Sequence, residues 1–352
     1  VAGAWSAVMY MRWPLWSIVP VLIGALVLIV LMGWAYRRWQ GWRLRRELLG
    51  TTASAPSSKG LEEVFEQQWQ AGVQVLRDGH LGTQRRTLYG LPWIIVLDVV
   101  PPTEQDELNI LAVQKSRNPE PETGLSWCFL KAAVVLRFPV LTPMLQQTKT
   151  ADYWRFFLKK LNKTRRREPL NGVVFNINTP WLEQASEAEL HQLGESLRHQ
   201  LDAINQIFNA RISSWIVLSQ SQGVEGLSLL TQYLGTEQVK HSFGFHEEQT
   251  QGSVASFIQR GFEHVLNRAN DLCLWVGQIE PNSAQRLALP EQLQRHESDL
   301  RRILLPAFEA SPYAINPLLR GIYWTATSEH GGITKSWFSE QLYDRVLPYQ
   351  RH

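Results

Sequence analysis

The residues best placed to do chemistry follow the first apolar run of strand length and character. In an α/β sheet the ligand sits at the carboxyl ends of the strands, so the turn after the first strand is the place to look. Here Trp93 to Leu97 leads into Asp98, Val99, Val100, Pro101, Pro102, Thr103, Glu104 and Gln105. A loop that cradles nucleotide phosphates reads G-x-x-x-x-G-K-[ST], with glycines to wrap backbone N–H groups around the phosphates and a lysine to neutralise them. This turn has neither. Its two prolines remove N–H donors, and Asp98, Glu104 and Asp106 would repel a triphosphate.

Other constellations carry less. His241, His246, Glu247 and Glu248 in HSFGFHEE are metal-ligand types, but they lack the H-E-x-x-H spacing that puts two histidines on one helical face, and an exposed loop accounts for them. Arg165, Arg166 and Arg167 read as a solvated helix end whose cations complement the dipole, with an anionic lipid or partner as the alternative. Gly331 and Gly332 read as a turn. Cys128 and Cys273 are isolated thiols, which fits a reducing compartment and excludes a cysteine-built zinc site. No Ser/His/Asp or Cys/His combination shows a local nucleophile signature, and neither catalytic residues nor a cofactor or metal site are expected.

The elements around that turn follow from apolar patterning. Leu61, Val64, Phe65, Trp69, Val73 and Leu76 recur at helical spacing. Trp93–Val100, Ala132–Leu136, Gly172–Ile177 and Trp215–Leu218 are short continuous apolar runs of strand character. Helical patterns lie between the later runs, over Tyr153–Leu161 and from Leu190 to Phe208. Strands alternating with helices predict an α/β fold with a mostly parallel sheet covered on both faces. Beyond about Thr250 the pattern predicts helices through Phe257–Leu266 and Leu300–Phe308, a strand-like run Leu318–Thr325 and a last helix near Trp337–Val346. The 15 tryptophans, several in this body, suit core or interface packing.

Ahead of that body, Trp13 to Tyr36 runs without a charge and has aromatic residues at both ends, which predicts a transmembrane helix. Arg37, Arg38, Arg43, Arg45 and Arg46 follow it while only Arg12 precedes it, so these arginines are expected to hold the remainder in the cytoplasm. The expected organisation is an extracytoplasmic stub over 1–12, the membrane helix over 13–36 and a basic juxtamembrane segment and linker over 37–60. An α/β domain over 61–250 and a helical extension with a closing strand and helix over 251–352 complete it. The chain begins with Val1 rather than Met, so a preceding segment is expected. Formal charge is only +3, from 35 basic and 32 acidic side chains, and much of the excess is the arginine collar; nothing in composition argues for nucleic-acid binding.

YGLPWIIVLDVVPP, WRFFLKKLNKTRRREPLNGVVFNIN and LLRGIYWTATSEHGG resemble the N-terminal cytoplasmic region of the IcmF/TssM family, inner-membrane components of type VI secretion systems. Pro169–Val174 and Leu318–Tyr323 are the most specific parts. The resemblance implies a membrane-anchored P-loop-GTPase-like domain followed by a helical extension. It aligns the phosphate loop with Asp98, Pro101, Pro102, Glu104 and Gln105, a switch motif with Arg137 after the AVVL strand, and a base-reading motif with Ser219, Gln220 and Gln222. None of these carries the residues the chemistry needs, so the resemblance implies a degenerate nucleotide site, a pseudo-GTPase. It further implies a structural scaffold of the secretion membrane complex and a homo-oligomer. Its expected partners are a TssL/DotU-like inner-membrane protein, baseplate proteins such as TssK, and a TssJ-like lipoprotein met through a periplasmic region absent from this chain. The alternatives are an NTP-binding energiser of the complex and an IcmF-type stabiliser of a type IV system.

Overall fold

The core strand β1 (Trp93–Asp98) is buried at every position, as an apolar run flanked on both sides by other strands must be. In a computed structural model that describes residues 58–78, 88–101, 106–115, 125–139, 148–235, 237–248, 252–279, 288–310, 315–330 and 333–349, β1 pairs in parallel with β4 (Val134–Pro139) on one side and β5 (Gly172–Asn178) on the other. β6 (Ser213–Ser219) and β8 (Leu318–Trp324) extend the parallel run beyond β5. Short antiparallel strands close the flanks: β2 (Gln114–Lys115) and β3 (Ser126–Phe129) beside β4, and β7 (Phe243–His246) beside β8. The order is β2-β3-β4-β1-β5-β6-β8-β7, and a separate hairpin pairs β9 (Ala326–His330) with β10 (Ile333–Trp337).

Side chains alternate across β1 and thereby build two layers. Trp93, Ile95 and Leu97 join the larger cluster, with Phe65 and Trp69 of α1 (Ser58–Asp78), Phe157 of α3 (Thr148–Thr164) and Leu193 of α5 (Glu187–Phe208). Phe257 of α7 (Val254–Ile279) and Leu293 of α8 (Ala288–Phe308) belong to the same cluster. Ile94 and Val96 face the other side, where cover comes from Leu108 of the short α2 (Glu107–Leu111) and from Leu342, Tyr343 and Leu347 near the C-terminus. Both faces are therefore covered, but among the described residues all five long helices contribute to the larger cluster. α2 ends after five residues, where the chain turns into β2, so no long helix follows β1.

Helix α5 begins on a capping box, Ser186 against the Glu189 backbone and Glu189 back onto Ser186, and ends at Asn209 in the left-handed conformation. The strand-like run near the C-terminus becomes β8 in the main sheet, and Glu63–His352 form one compact unit.

Several local expectations change. HSFGFHEE is not an exposed loop: Phe243–His246 is strand β7, with Phe243 and Phe245 buried against the helix layer. Gly244 has φ +151°, and a Cβ there would overlap the Ile322 carbonyl oxygen, so the strand can lie against β8 only with glycine at this position. The expected last helix near Trp337–Val346 starts later, at Glu340, and runs to Tyr349 with a π-helical turn over Leu342–Val346, while Trp337 closes β10. Arg165 is not solvated. It is fully buried, with its guanidinium 5.1 Å from the Trp93 ring centroid and 5.2 Å from that of Tyr89, while Arg166 and Arg167 are exposed. Burial pushes the Arg165 pKa down to about 10.

Residues 13–36 and the collar Arg37, Arg38, Arg43, Arg45 and Arg46 lie outside the described residues, among which no helix is long and apolar enough to cross a membrane.

Candidate functional site

Strand register brings three polar side chains together at the carboxyl end of the central strands. Asp98 is the last residue of β1 and lies opposite Asn176 of β5, while Arg137 enters from β4, opposite Val96. Arg137 therefore sits inside its strand rather than in a switch loop after it. Its Nε donates to Asp98 Oδ2 at 2.8 Å and its Nη2 donates both to Asp98 Oδ1 and, at 2.9 Å, to Asp106 Oδ2. Asn176 Nδ2 adds a bond of 2.7 Å to Asp98 Oδ1. Arg137 and Asp98 are each 1% exposed.

Asp106 serves twice, because as N-cap of α2 it also accepts from the Leu108 N–H at 3.0 Å. Two of the three carboxylates that the sequence marks as repelling phosphate, Asp98 and Asp106, are thus paired with a cation from the neighbouring strand. Burial pushes the Arg137 pKa down, but Asp98 and Asp106 push it up by more and hold the guanidinium well above its ordinary value. One guanidinium facing two carboxylates leaves a site with no surplus of positive charge for a phosphate.

Next to this triad lies Glu107, 2% exposed, whose Oε1 accepts from the Gln220 N–H at 3.0 Å. Gln220 is left-handed at φ 56° and opens a single 3-10 turn over Ser221–Gly223. Ser219 is buried at the end of β6, Ser221 Oγ donates to the Leu218 carbonyl, and Gln222 Oε1 accepts from the Thr327 N–H. The segment aligned with base reading is thereby tied into the fold. Pro101 is exposed, while Pro102, Glu104 and Gln105 lie outside the described residues.

Sequence reasoning did not single out Asn176 or Glu107. The signal for the first was a lone amide in an otherwise apolar strand run, and for the second an acid following a capping aspartate.

Burial, followed by the charge of Asp106, pushes the Glu107 pKa up to about 7 from its ordinary 4.5. A carboxyl whose folded pKa is raised contributes full stability below the unfolded value and loses it as pH climbs through the folded one. Stability should therefore fall by about 3 kcal/mol between pH 4.5 and 7 through this group alone. Glu107→Gln keeps the acceptor for Gln220 and should flatten that slope, leaving the variant more stable than the parent at pH 8 in urea unfolding; an unchanged slope would assign the titration elsewhere.

The remaining candidates do not converge on a ligand. His246 Nδ1 is 2.9 Å from the Tyr323 hydroxyl, and Glu247 Oε1 accepts from Arg260 Nε at 3.0 Å. Among the described residues no group of three or more His, Cys, Asp or Glu is arranged to hold a metal ion. Cys128 and Cys273 are both buried.

These features define an α/β domain with a mostly parallel sheet and a helical C-terminal part, its central sheet edge closed by the protein's own ion cluster. The chain belongs to the IcmF family: residues 147–348 match the IcmF-related N-terminal domain. It is 25% identical over 292 residues to the type VI secretion system component TssM1 of Pseudomonas aeruginosa strain PAO1, covering 76% of this chain and 26% of that protein. The chain thus spans about a quarter of that relative's length. Pro169–Val174 and Leu318–Tyr323, the most specific stretches of the resemblance, fall inside the matched family region.

Proposed function

We propose that this chain is a scaffold component of a type VI secretion membrane complex, anchored by residues 13–36, with a cytoplasmic GTPase-like domain that neither binds nor hydrolyses nucleotide. The similarity to TssM1 supports the secretion role, and the charge asymmetry around Trp13–Tyr36 supports the anchor and its orientation. The observation that carries the pseudo-GTPase reading is the Arg137 triad. Where a nucleotide site needs a lysine on the phosphates and an aspartate on magnesium, this sheet edge has an arginine already shared between Asp98 and Asp106.

Without chemistry of its own, such a domain works by presenting surfaces. The sheet is a rigid body, and the membrane helix restricts its orientation and raises the effective concentration of partners, so weak contacts act together in a homo-oligomeric assembly. The proposed partners are a TssL/DotU-like inner-membrane protein and TssK-like baseplate proteins.

Titrating the full chain, in detergent, with a fluorescent GTP analogue and Mg2+ should show no saturable binding up to about 1 mM, a free energy of about −4 kcal/mol. Micromolar binding abolished by unlabelled GTP would sink the pseudo-site. Crosslinking the membrane-embedded chain in its native cells, followed by mass spectrometry, should recover the inner-membrane and baseplate partners. Recovery of neither would sink the scaffold reading.

A further inference from the structure

Strand β7 is the last on its side of the sheet, and its outer edge is open among the described residues. The Glu247 N–H donates to the Arg320 carbonyl at 2.9 Å, which fixes the alternation of the antiparallel ladder: Phe243 and Phe245 turn their N–H and C=O groups to β8, Gly244 and His246 turn theirs outward. Among the described residues nothing bonds to those outward backbone groups. Ser242, at one end of the edge, shows what they can do: its N–H donates to Gln341 Oε1 at 2.8 Å and its carbonyl accepts from Arg268 Nη1 at 3.3 Å.

A cavity of about 460 Å³ runs over this edge, lined by both strand and helix residues. Helix α7 contributes Arg260, His264 and Arg268 to it, at intervals of four residues. Four helical residues rise about 6 Å and two strand residues about 6.8 Å, so these side chains recur in step with alternate residues of an extended chain. Arg260 is paired with Glu247 through two bonds of 3.0 Å. Arg268 has no carboxylate partner among the described residues; it lies 5.6 Å from the Phe243 ring centroid, and burial pushes its pKa down. A partly desolvated guanidinium without an anion, beside unpaired backbone donors and acceptors, is half of a recognition site.

We propose that the outer edge of β7 takes up an extended segment of an acidic partner protein, which adds a strand to the sheet and sets a carboxylate against Arg268. Backbone bonds to Gly244 and His246 supply the register, and the carboxylate supplies the choice of partner. The site deepens the docking reading above by giving it a surface and a partner chemistry, yet it is tested with purified components, so its failure and that of the crosslinking experiment are separable.

The test is fluorescence anisotropy of a labelled twelve-residue peptide alternating Glu with Val or Thr, titrated with the full chain in detergent at low salt. We expect saturable binding, a loss of about tenfold on Arg268→Gln and more on Arg268→Glu, with both variants keeping the parent's melting temperature within a few degrees. Methylating alternate backbone nitrogens of the peptide should abolish binding in one register and spare it in the other. Three results would overturn the proposal: equal binding of a Lys-for-Glu peptide, equal binding of both methylated registers, or a chain whose β7 edge is already occupied by a second copy in light scattering and crosslinking. Absence of any saturable binding would do so as well.

Discussion

Arg137→Leu should lower the unfolding free energy by about 3–5 kcal/mol, read as a shift in the urea midpoint at constant slope. Leucine fills part of the arginine's volume, so the loss comes mainly from what remains. Asp98 and Asp106 would face each other across a buried site after losing the bonds that Arg137 now supplies. Asn176 could still donate to Asp98 and Leu108 to Asp106, which satisfies hydrogen bonds without neutralising charge. The double variant Asp98→Asn with Arg137→Leu should recover part of the loss, because it removes one of the two stranded carboxylates. If Arg137→Leu were neutral, the triad would be a solvated ion pair and its place in the pseudo-site argument would fall. The same variant should gain no affinity for GTP, since removing the arginine exposes acids rather than phosphate donors.

Trp127→Ala should cost a similar amount, about 3–5 kcal/mol, by leaving a cavity at the junction of α1 and β3. The Trp127 ring lies 5.2 Å from the Trp69 centroid, 5.5 Å from Trp93 and 5.8 Å from Phe129, so it links Trp69 of the first helix to Trp93 of β1 and to Phe129 of its own strand. Gly72 on α1 makes room for it, since a Cβ built there would run into the indole. Gly72→Ala should therefore also destabilise, by about 1–3 kcal/mol, despite alanine's higher helix propensity. Trp127→Phe should relieve much of that penalty in combination, and it also removes a buried Nε1 that has no hydrogen-bond partner among the described residues. Additive effects of the pair in a double-mutant cycle would show that Gly72 and Trp127 do not share this contact.

The patterned elements were legible in the sequence because their signals are local. The runs at Trp93, Gly172, Trp215 and Leu318 each became strands, and Leu190–Phe208 became α5, extended at its start by the Ser186 capping box. A continuous apolar run must be buried on both faces, whichever strands flank it. The same locality explains what was missed. β2, β3 and β7 are two to four residues long, too short for a period to register, and they exist because β3, β4 and β8 respectively offer them a partner. Arg165 looked like a solvated cation in a run of three until the fold set Trp93 beneath it, and nothing in TRRRE distinguishes it from Arg166 and Arg167.

At the sheet edge the division is sharper. The residues of the loop, read alone, determined that it lacks glycines and a lysine, and so lacks the means to wrap phosphates. What takes their place was decided by register: a parallel ladder sets Asp98 opposite Asn176 and brings Arg137, 39 residues away in the chain, within hydrogen-bonding distance. Pairing of charges depends on distance and on exclusion of water, and both are properties of packed strands rather than of neighbouring residues. The chain alone determined the apolar run, the arginine collar, the family resemblance and the absence of phosphate-binding residues from the loop after β1; tertiary structure alone decided that an ion cluster closes the carboxyl end of β1, and that a groove carrying Arg268 lies along the edge of β7 that is open among the described residues.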